Sequence, residues 1–312
     1  MAYQKNHRTA ITESLTKIQR STPSLNRENI QDLLLTRKFL ILEGPPGTGK
    51  TRMAHLLAQD LNAKTFFTQF HAETSYSDFI WGMRPNLKSQ QLIYEEVEGP
   101  LVKAICYAQN HPDENVILII DEINRANLSN VLGQAFYLFE YQRDKSDLEI
   151  EITPSLKIKE LPHNLYVIAT MNTADRSLAV VDFALRRRFA WINLKPQAID
   201  PLHEKDKKKL EKNDPNLTSY LISNDENEPK YFFIKYFQEL AKIFKWHANA
   251  QEMNLQPGQA YFIAQDEEEM KKRIEYELLP LIREYIEEGL LLSAQDEFND
   301  YFYSRIQKPL FE

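Results

Sequence analysis

The amino-acid sequence predicts an α/β protein, a parallel β-sheet flanked by helices and followed by a smaller C-terminal helical domain. Three observations predict it. Short apolar runs of strand length alternate with segments of helical periodicity. A glycine-rich turn joins the first such run to the helix after it. Beyond Pro196 the composition shifts, and from Tyr231 the pattern is helical to the end.

Taken in order, residues 1–36 are polar and carry two short helix-like runs, the second over 29–36 with Asn26 as its cap. Residues 38–43 read as a buried strand. Residues 51–61 place Met53, Leu56, Leu57 and Leu61 on one helical face. A second strand is expected over 64–70, a short helix or turn over 76–82, a hairpin insertion over 86–99 and a helix over 101–109. Residues 116–120 are wholly apolar and end in Asp121-Glu122. A helix is expected over 128–139, a projecting hairpin over 148–158, a buried strand over 165–170, a helix over 180–187 and a last strand over 190–194. The expected organisation is an N-terminal extension (1–36), an α/β domain (37–195) and a helical domain (196–312). Residues 200–230, rich in Lys, Asp, Asn and Glu, are expected to be a solvated surface segment. There are no internal repeats.

A chain of 312 residues is long enough for two packed units. With 43% hydrophobic and 27% charged residues, it is an ordinary soluble composition. The net charge of -7 argues against a free-standing nucleic-acid binder, so any DNA contact needs a local basic patch or another domain. The single cysteine, Cys106, forms no internal disulfide and reads as a small buried residue. The seven histidines are scattered and predict no structural metal site. No apolar stretch is long enough to span a bilayer, and no apolar segment follows the basic N-terminal residues, so a cytoplasmic location is expected. Tyr76 and Trp81 read as core aromatics, and the acid-rich stretch 266–288 as a solvated helix face.

The chemistry concentrates in four places. Gly44-Pro45-Pro46-Gly47-Thr48-Gly49-Lys50-Thr51 matches G-x-x-x-x-G-K-[ST] in full, between a strand and a helix, as that motif requires. Its glycines let backbone amides approach phosphate oxygens, and the helix adds its positive end. Lys50 is expected on the β and γ phosphates and Thr51 on Mg²⁺; Arg52 is counted with the phosphate-binding segment. Asp121 and Glu122 end a buried strand, where open α/β sheets bind ligands. Asp121 is the expected Mg²⁺ ligand, directly or through water, and Glu122 the base that polarises the attacking water. Asn172 ends the next buried strand, where a neutral amide can bond both water and γ-phosphate. Arg186-Arg187-Arg188 reads equally well as a solvated or nucleic-acid-contacting patch and as a guanidinium supply for a neighbour's phosphate.

These segments resemble the AAA+ motors of the McrB type. The likeness is carried by Asp121-Glu122-Ile123-Asn124-Arg125-Ala126-Asn127, by Met171-Asn172-Thr173-Ala174-Asp175-Arg176-Ser177 and by residues 180–189. Tyr76-Ser77-Asp78-Phe79-Ile80-Trp81-Gly82-Met83-Arg84-Pro85, Gly258-Gln259-Ala260-Tyr261-Phe262 and Leu279-Pro280-Leu281-Ile282 extend it, so it covers roughly residues 30–290. The resemblance implies a P-loop α/β domain with a helical lid, GTP and Mg²⁺ as ligands, and a ring, typically a hexamer, with nucleotide between subunits. It implies that a McrC-type nuclease subunit enters the channel and that the ring translocates DNA for it. Arg187 and Arg188 match arginines that act across the subunit interface, and Asp175 and Arg125 match residues near the active site. Gln259-Ala260 departs from the family's His-Ser, so no second sensor is carried over. Too few residues precede Gly44 for the family's DNA-reading domain, and methylcytosine recognition is not expected of this chain.

Two other functions compete: an ATP-driven ring of the MoxR type acting on proteins, and a non-catalytic nucleotide switch. Glu122 weighs against the switch, and Asn172-Thr173-Ala174-Asp175 favours GTP-driven DNA restriction. The choice of base rests on the resemblance alone.

Overall fold

The computed structural model describes residues 26–85, 94–140, 149–174, 183–225 and 228–311. Helix α1 (Arg27–Arg37) is capped by the Asn26 side chain, which accepts from the Asn29 amide, so the expected cap holds while the helix begins at Arg27. The first expected helix-like run falls outside the described residues. Then follow β1 (Phe39–Gly44), α2 (Lys50–Asp60), β2 (Lys64–Gln69), α3 (Tyr76–Phe79), β3 (Trp81–Pro85), β4 (Tyr94–Glu98), α4 (Pro100–Asn110), β5 (Val116–Asp121) and α5 (Leu128–Leu132). After these come β6 (Ile150–Thr153), β7 (Leu156–Ile158), β8 (Leu165–Asn172), α6 (Phe183–Arg188) and β9 (Ala190–Asn193).

The main sheet has five strands in the order β2-β5-β8-β1-β9, and every pairing is parallel. Its central strands β1, β5 and β8 are mostly apolar because both their faces are covered, whereas the edge strand β2 is polar and partly exposed. Phe39 and Ile41 of β1, with Val116, Leu118 and Ile120 of β5, face the cluster that holds Leu101, Ile105 and Ala108 of α4. Leu40, Leu42, Ile117 and Ile119 face the opposite cluster, with Ile30 and Leu34 of α1 and Ala54 and Leu57 of α2. The sheet is therefore sandwiched between helices, the expected α/β arrangement, and the carboxyl ends of β1, β5 and β8 lie side by side.

Several boundaries differ from expectation. The hairpin insertion begins at Trp81, since β3 pairs antiparallel with β4 from Trp81↔Glu98 to Pro85↔Tyr94. The Gly99 amide closes its base on the Ile80 carbonyl at 2.7 Å; residues 86–93 lie outside the described residues. Tyr76 and Trp81 pack against the sheet core. The helix expected over 128–139 is α5 followed by a 3₁₀ stretch, Gly133–Phe139, because Gly133 leaves helical geometry at φ 48° and ψ -131°.

The C-terminal part comprises α7 (Glu204–Glu211), β10 (Tyr220–Ser223), β11 (Lys230–Phe232), α8 (Ile234–His247), β12 (Ile263–Ala264), α9 (Glu267–Arg273), α10 (Leu279–Glu287) and α11 (Gln295–Ile306). It is mainly helical, but β10, β11 and β12 form a small antiparallel sheet that the sequence reading did not anticipate. Strands this short span about one to two periods of side-chain alternation, too little to register as a pattern. The stretch 200–230 is correspondingly more than solvated surface: it supplies α7 and the buried Tyr220. A separate core gathers Phe232, Phe244, Phe262, Phe298 and Phe302. Along α9, Glu267, Glu268 and Arg273 pair with Lys271, Lys272 and Glu277 at the surface. No helix among the described residues is long and apolar enough to cross a membrane.

Candidate functional site

The turn between β1 and α2 is a closed loop in which each carbonyl from Gly44 to Thr48 has a partner. The Lys50 ammonium donates to the Gly44 and Pro45 carbonyls, both at 2.9 Å. The Thr48 hydroxyl also donates to Pro45, and the Thr173 amide to Gly44. The other three carbonyls are held from the C-terminal part of the chain. The Gly258 amide donates to Pro46 at 2.8 Å, the Ala260 amide to Gly47 at 2.9 Å and the Gln259 side-chain amide to Thr48 at 2.9 Å. In a trans peptide the N–H points opposite to the C=O. The amides of Gly47, Thr48 and Gly49 are therefore turned away from the 258–260 segment, which is how backbone makes an anion-binding concavity.

Gly47 and Gly49 reach this turn at φ 78° and 85°, left-handed values that favour glycine. Gly49 then caps α2, whose ladder opens with Met53 donating to Gly49 at 2.8 Å. Lys50 is 8% exposed, so its ammonium is held among oxygens of its own loop. Tyr261 packs its ring against Gly47. Burial, and secondarily Glu277, push its phenol upward, so the ring stays neutral. Arg52 is exposed on α2.

Beside the loop, hydroxyls and carboxylates converge. Asp121 Oδ1 accepts from the Thr51 hydroxyl at 2.7 Å and from the Thr170 hydroxyl at 2.6 Å. Thr170 Oγ1 in turn accepts from the Glu122 amide at 3.1 Å. Glu122 sits in left-handed backbone geometry, φ 54° and ψ 47°, and its carboxylate meets Arg125 Nε at 3.4 Å. Asn124, 5% exposed, donates to the Asn172 carbonyl at 3.4 Å. The Asn172 side-chain oxygen takes the Ala174 amide at 3.2 Å, so what Asn172 has left to offer is its NH₂ donors. Asn172 stands in register with Gly44 across β1 and β8.

The donor set suits magnesium triphosphate. A hydroxyl and a carboxylate oxygen 2.7 Å apart at a sheet's carboxyl edge are hard oxygen ligands of the kind Mg²⁺ takes. A helix start and a nest of amides adjoin them. Thr51, Asp121, Lys50, Glu122 and Asn172 are thus brought together. Arg187 and Arg188 lie elsewhere: both donate to Glu140 Oε1, at 3.1 and 2.6 Å. The Arg187 side chain is 68% exposed and that of Arg188 4%, with the Arg188 guanidinium 4.2 Å from the Phe136 ring centroid. Asp175 lies outside the described residues.

Thr170, Asn124, Gln259 and Glu140 are the site residues that sequence reasoning left without a role. For Thr170 a signal existed, a hydroxyl inside an otherwise apolar strand one turn of the pleat before Asn172. Gln259 lay in a segment marked by the family resemblance, but neither its contact with Thr48 nor Glu140's with the arginines had a signal, because these partners are brought near only by folding.

Residues 39–189 match the model of the AAA domain, dynein-related subfamily. The chain is 42% identical over 182 residues to the type IV methyl-directed restriction enzyme EcoKMcrB subunit of Escherichia coli, covering 56% of this chain and 39% of that protein. It is 28% identical over 190 residues to the type II restriction enzyme BsuMI component YdiS of Bacillus subtilis, covering 48% of this chain and 55% of that protein. The matches thus span less than two thirds of either relative's length.

Proposed function

Because this chain is an AAA+ protein of the McrB type, we propose that it is the nucleotide-hydrolysing motor subunit of a DNA restriction complex, using GTP and Mg²⁺. The observation that carries the reading is the hydrogen-bonded chain beside the Lys50 loop, in which the Asp121 carboxylate joins the Thr51 and Thr170 hydroxyls and Thr170 receives the Glu122 backbone amide. A binding-only switch has no need of a water-orienting acid, and the acidic Glu122 beside Asp121 supports hydrolysis over binding alone.

In this mechanism the amides of Gly47, Thr48 and Gly49 and the Lys50 ammonium bind the phosphates. Lys50 exchanges its two loop carbonyls for phosphate oxygens. Thr51 and Asp121 would hold the metal, whose charge would offset negative charge developing on the phosphoryl oxygens. Glu122 orients the attacking water and accepts its proton, and the Asn172 NH₂ steadies water and γ-phosphate. Arg187 and Arg188 act on the nucleotide of a neighbouring subunit in a ring, taken as a hexamer; the exposed Arg187 makes the contact and Glu140 aligns the pair. Asp175 is assigned a catalytic role on the family resemblance of the Asn172-Thr173-Ala174-Asp175 element alone. Residues 37–195 act as the α/β motor domain, residues 196–312 as its helical lid and 1–36 as an N-terminal extension. The ring would move DNA for a McrC-like nuclease partner.

Side-by-side turnover of GTP and ATP tests this. Preferred Mg²⁺-dependent GTP hydrolysis supports it, while a clear preference for ATP ends it in favour of a MoxR-like ring that remodels proteins. Absence of turnover with either would return the chain to a switch.

A further inference from the structure

Resting on that reading of the site, we infer that Thr170 is a positioning residue for hydrolysis: its single hydroxyl fixes both the magnesium carboxylate and the aim of the catalytic glutamate. Thr170 lies on β8 beside β5 and is 1% exposed. A hydroxyl has one proton to give and lone pairs to receive with. The Asp121 carboxylate at 2.6 Å can only accept, and the Glu122 amide at 3.1 Å can only donate. The hydroxyl therefore has one orientation, and that orientation serves both neighbours.

Two consequences follow for the chemistry. Asp121 Oδ1 receives Thr51 and Thr170 together, which pins the carboxylate plane next to the hydroxyl assigned to the metal. Glu122 occupies a left-handed conformation, φ 54° and ψ 47°, which a residue with a side chain keeps only when its surroundings over-determine it. Its carbonyl accepts from the Arg125 amide at 2.9 Å and its carboxylate meets the Arg125 guanidinium, both local contacts. The Thr170 bond comes from the neighbouring strand. It ties the direction of Glu122 to the strand that carries Asn172, so base and sensor are set against each other by one side chain.

A buried threonine in a strand is ordinarily a packing residue, since the branched side chain suits a pleated surface. That explanation concerns the methyl group. The hydroxyl is spent on the two acidic residues of the facing strand, and the two explanations separate on that atom.

Thr170→Val keeps the branch and deletes the hydroxyl; Thr170→Ser does the reverse. Thr170→Val is expected to lower kcat about tenfold or more, the scale of a lost bond to a charged group. It should also raise the Mg²⁺ concentration for half-maximal rate several-fold, with nucleotide affinity in EDTA unchanged within roughly twofold. Thr170→Ser should stay within roughly threefold of the parent in both quantities. If the valine variant does not fold, Thr170→Ala takes its place as the hydroxyl-free arm. A hydroxyl-free variant with parental kcat and Mg²⁺ dependence overturns the proposal, as does a serine variant as slow as valine, which would assign the effect to packing. A parent chain without any triphosphatase activity overturns the reading of the site and the role of Thr170 with it, whereas parental turnover preserved without the hydroxyl overturns the role alone.

Discussion

Glu122 is held in strained geometry at the end of β5, and its neighbours, not its own preference, keep it there. In the proposed mechanism its carboxylate does one thing, taking a proton from water. Glu122→Gln preserves shape and removes basicity, so nucleotide binding is expected to persist while turnover falls about 100-fold or more. Turnover near the parental rate, measured at saturating nucleotide, would remove Glu122 from the role. The residues of this site that could be read from the chain are those whose relation is local: Lys50 and Thr51 follow the glycines of their own turn, and Asp121 and Glu122 end their own strand. The polar Thr170 stood out in its apolar strand, but its role did not, because its partner Asp121 is 49 positions away; Glu140 escaped because the arginines that share it are 47 and 48 away. A hydrogen bond across such a separation has no period or spacing to betray it.

At the scale of elements, the buried parallel strands were legible because a strand covered on both faces reads as a near-continuous apolar run, as β1, β5 and β8 do up to their carboxyl ends. The β3–β4 hairpin was placed too late in the sequence because Trp81 is a core aromatic that suits a helix end equally well. The strands β10, β11 and β12 were missed because four, three and two residues show no alternation. The element that matters most to the site is the 3₁₀ turn Gln259–Phe262, whose start grips the phosphate loop through Gly258, Gln259 and Ala260. A β-carbon on Gly258 would lie 2.2 to 2.3 Å from Gly47 and Thr48 backbone atoms, which no flexible side chain can relieve. Gly258→Ala is therefore expected to cost about 1–3 kcal/mol of stability and to weaken nucleotide binding by displacing the loop. Thermal melting and a nucleotide titration measure the two effects; a variant unchanged in both would mean that the loop is not gripped from this side.

For the whole molecule, the C-terminal part holds the phosphate loop through residues 258–261, so the loop and the packing of that segment are mechanically joined. The proposed ring adds a second connection, from Arg187 on the surface of one copy to the nucleotide of the next. Arg187→Ala is expected to abolish the concentration-dependent part of the turnover and leave the slow turnover of the dilute chain unchanged. Rates taken across a dilution series distinguish this from an equal loss at every concentration, which would place Arg187 within its own site. Underlying both connections is the proposal that Lys50, Thr51, Asp121 and Glu122 serve one magnesium triphosphate. A crystal structure with a non-hydrolysable triphosphate and Mg²⁺ tests it most directly. The account predicts the metal about 2.1 Å from Thr51 Oγ1, with Asp121 in its inner or water-bridged shell, Lys50 moved from its loop carbonyls onto the phosphates and Glu122 facing the γ-phosphate. Nucleotide bound away from the β1–α2 turn, or metal held without Thr51 and Asp121, would contradict it.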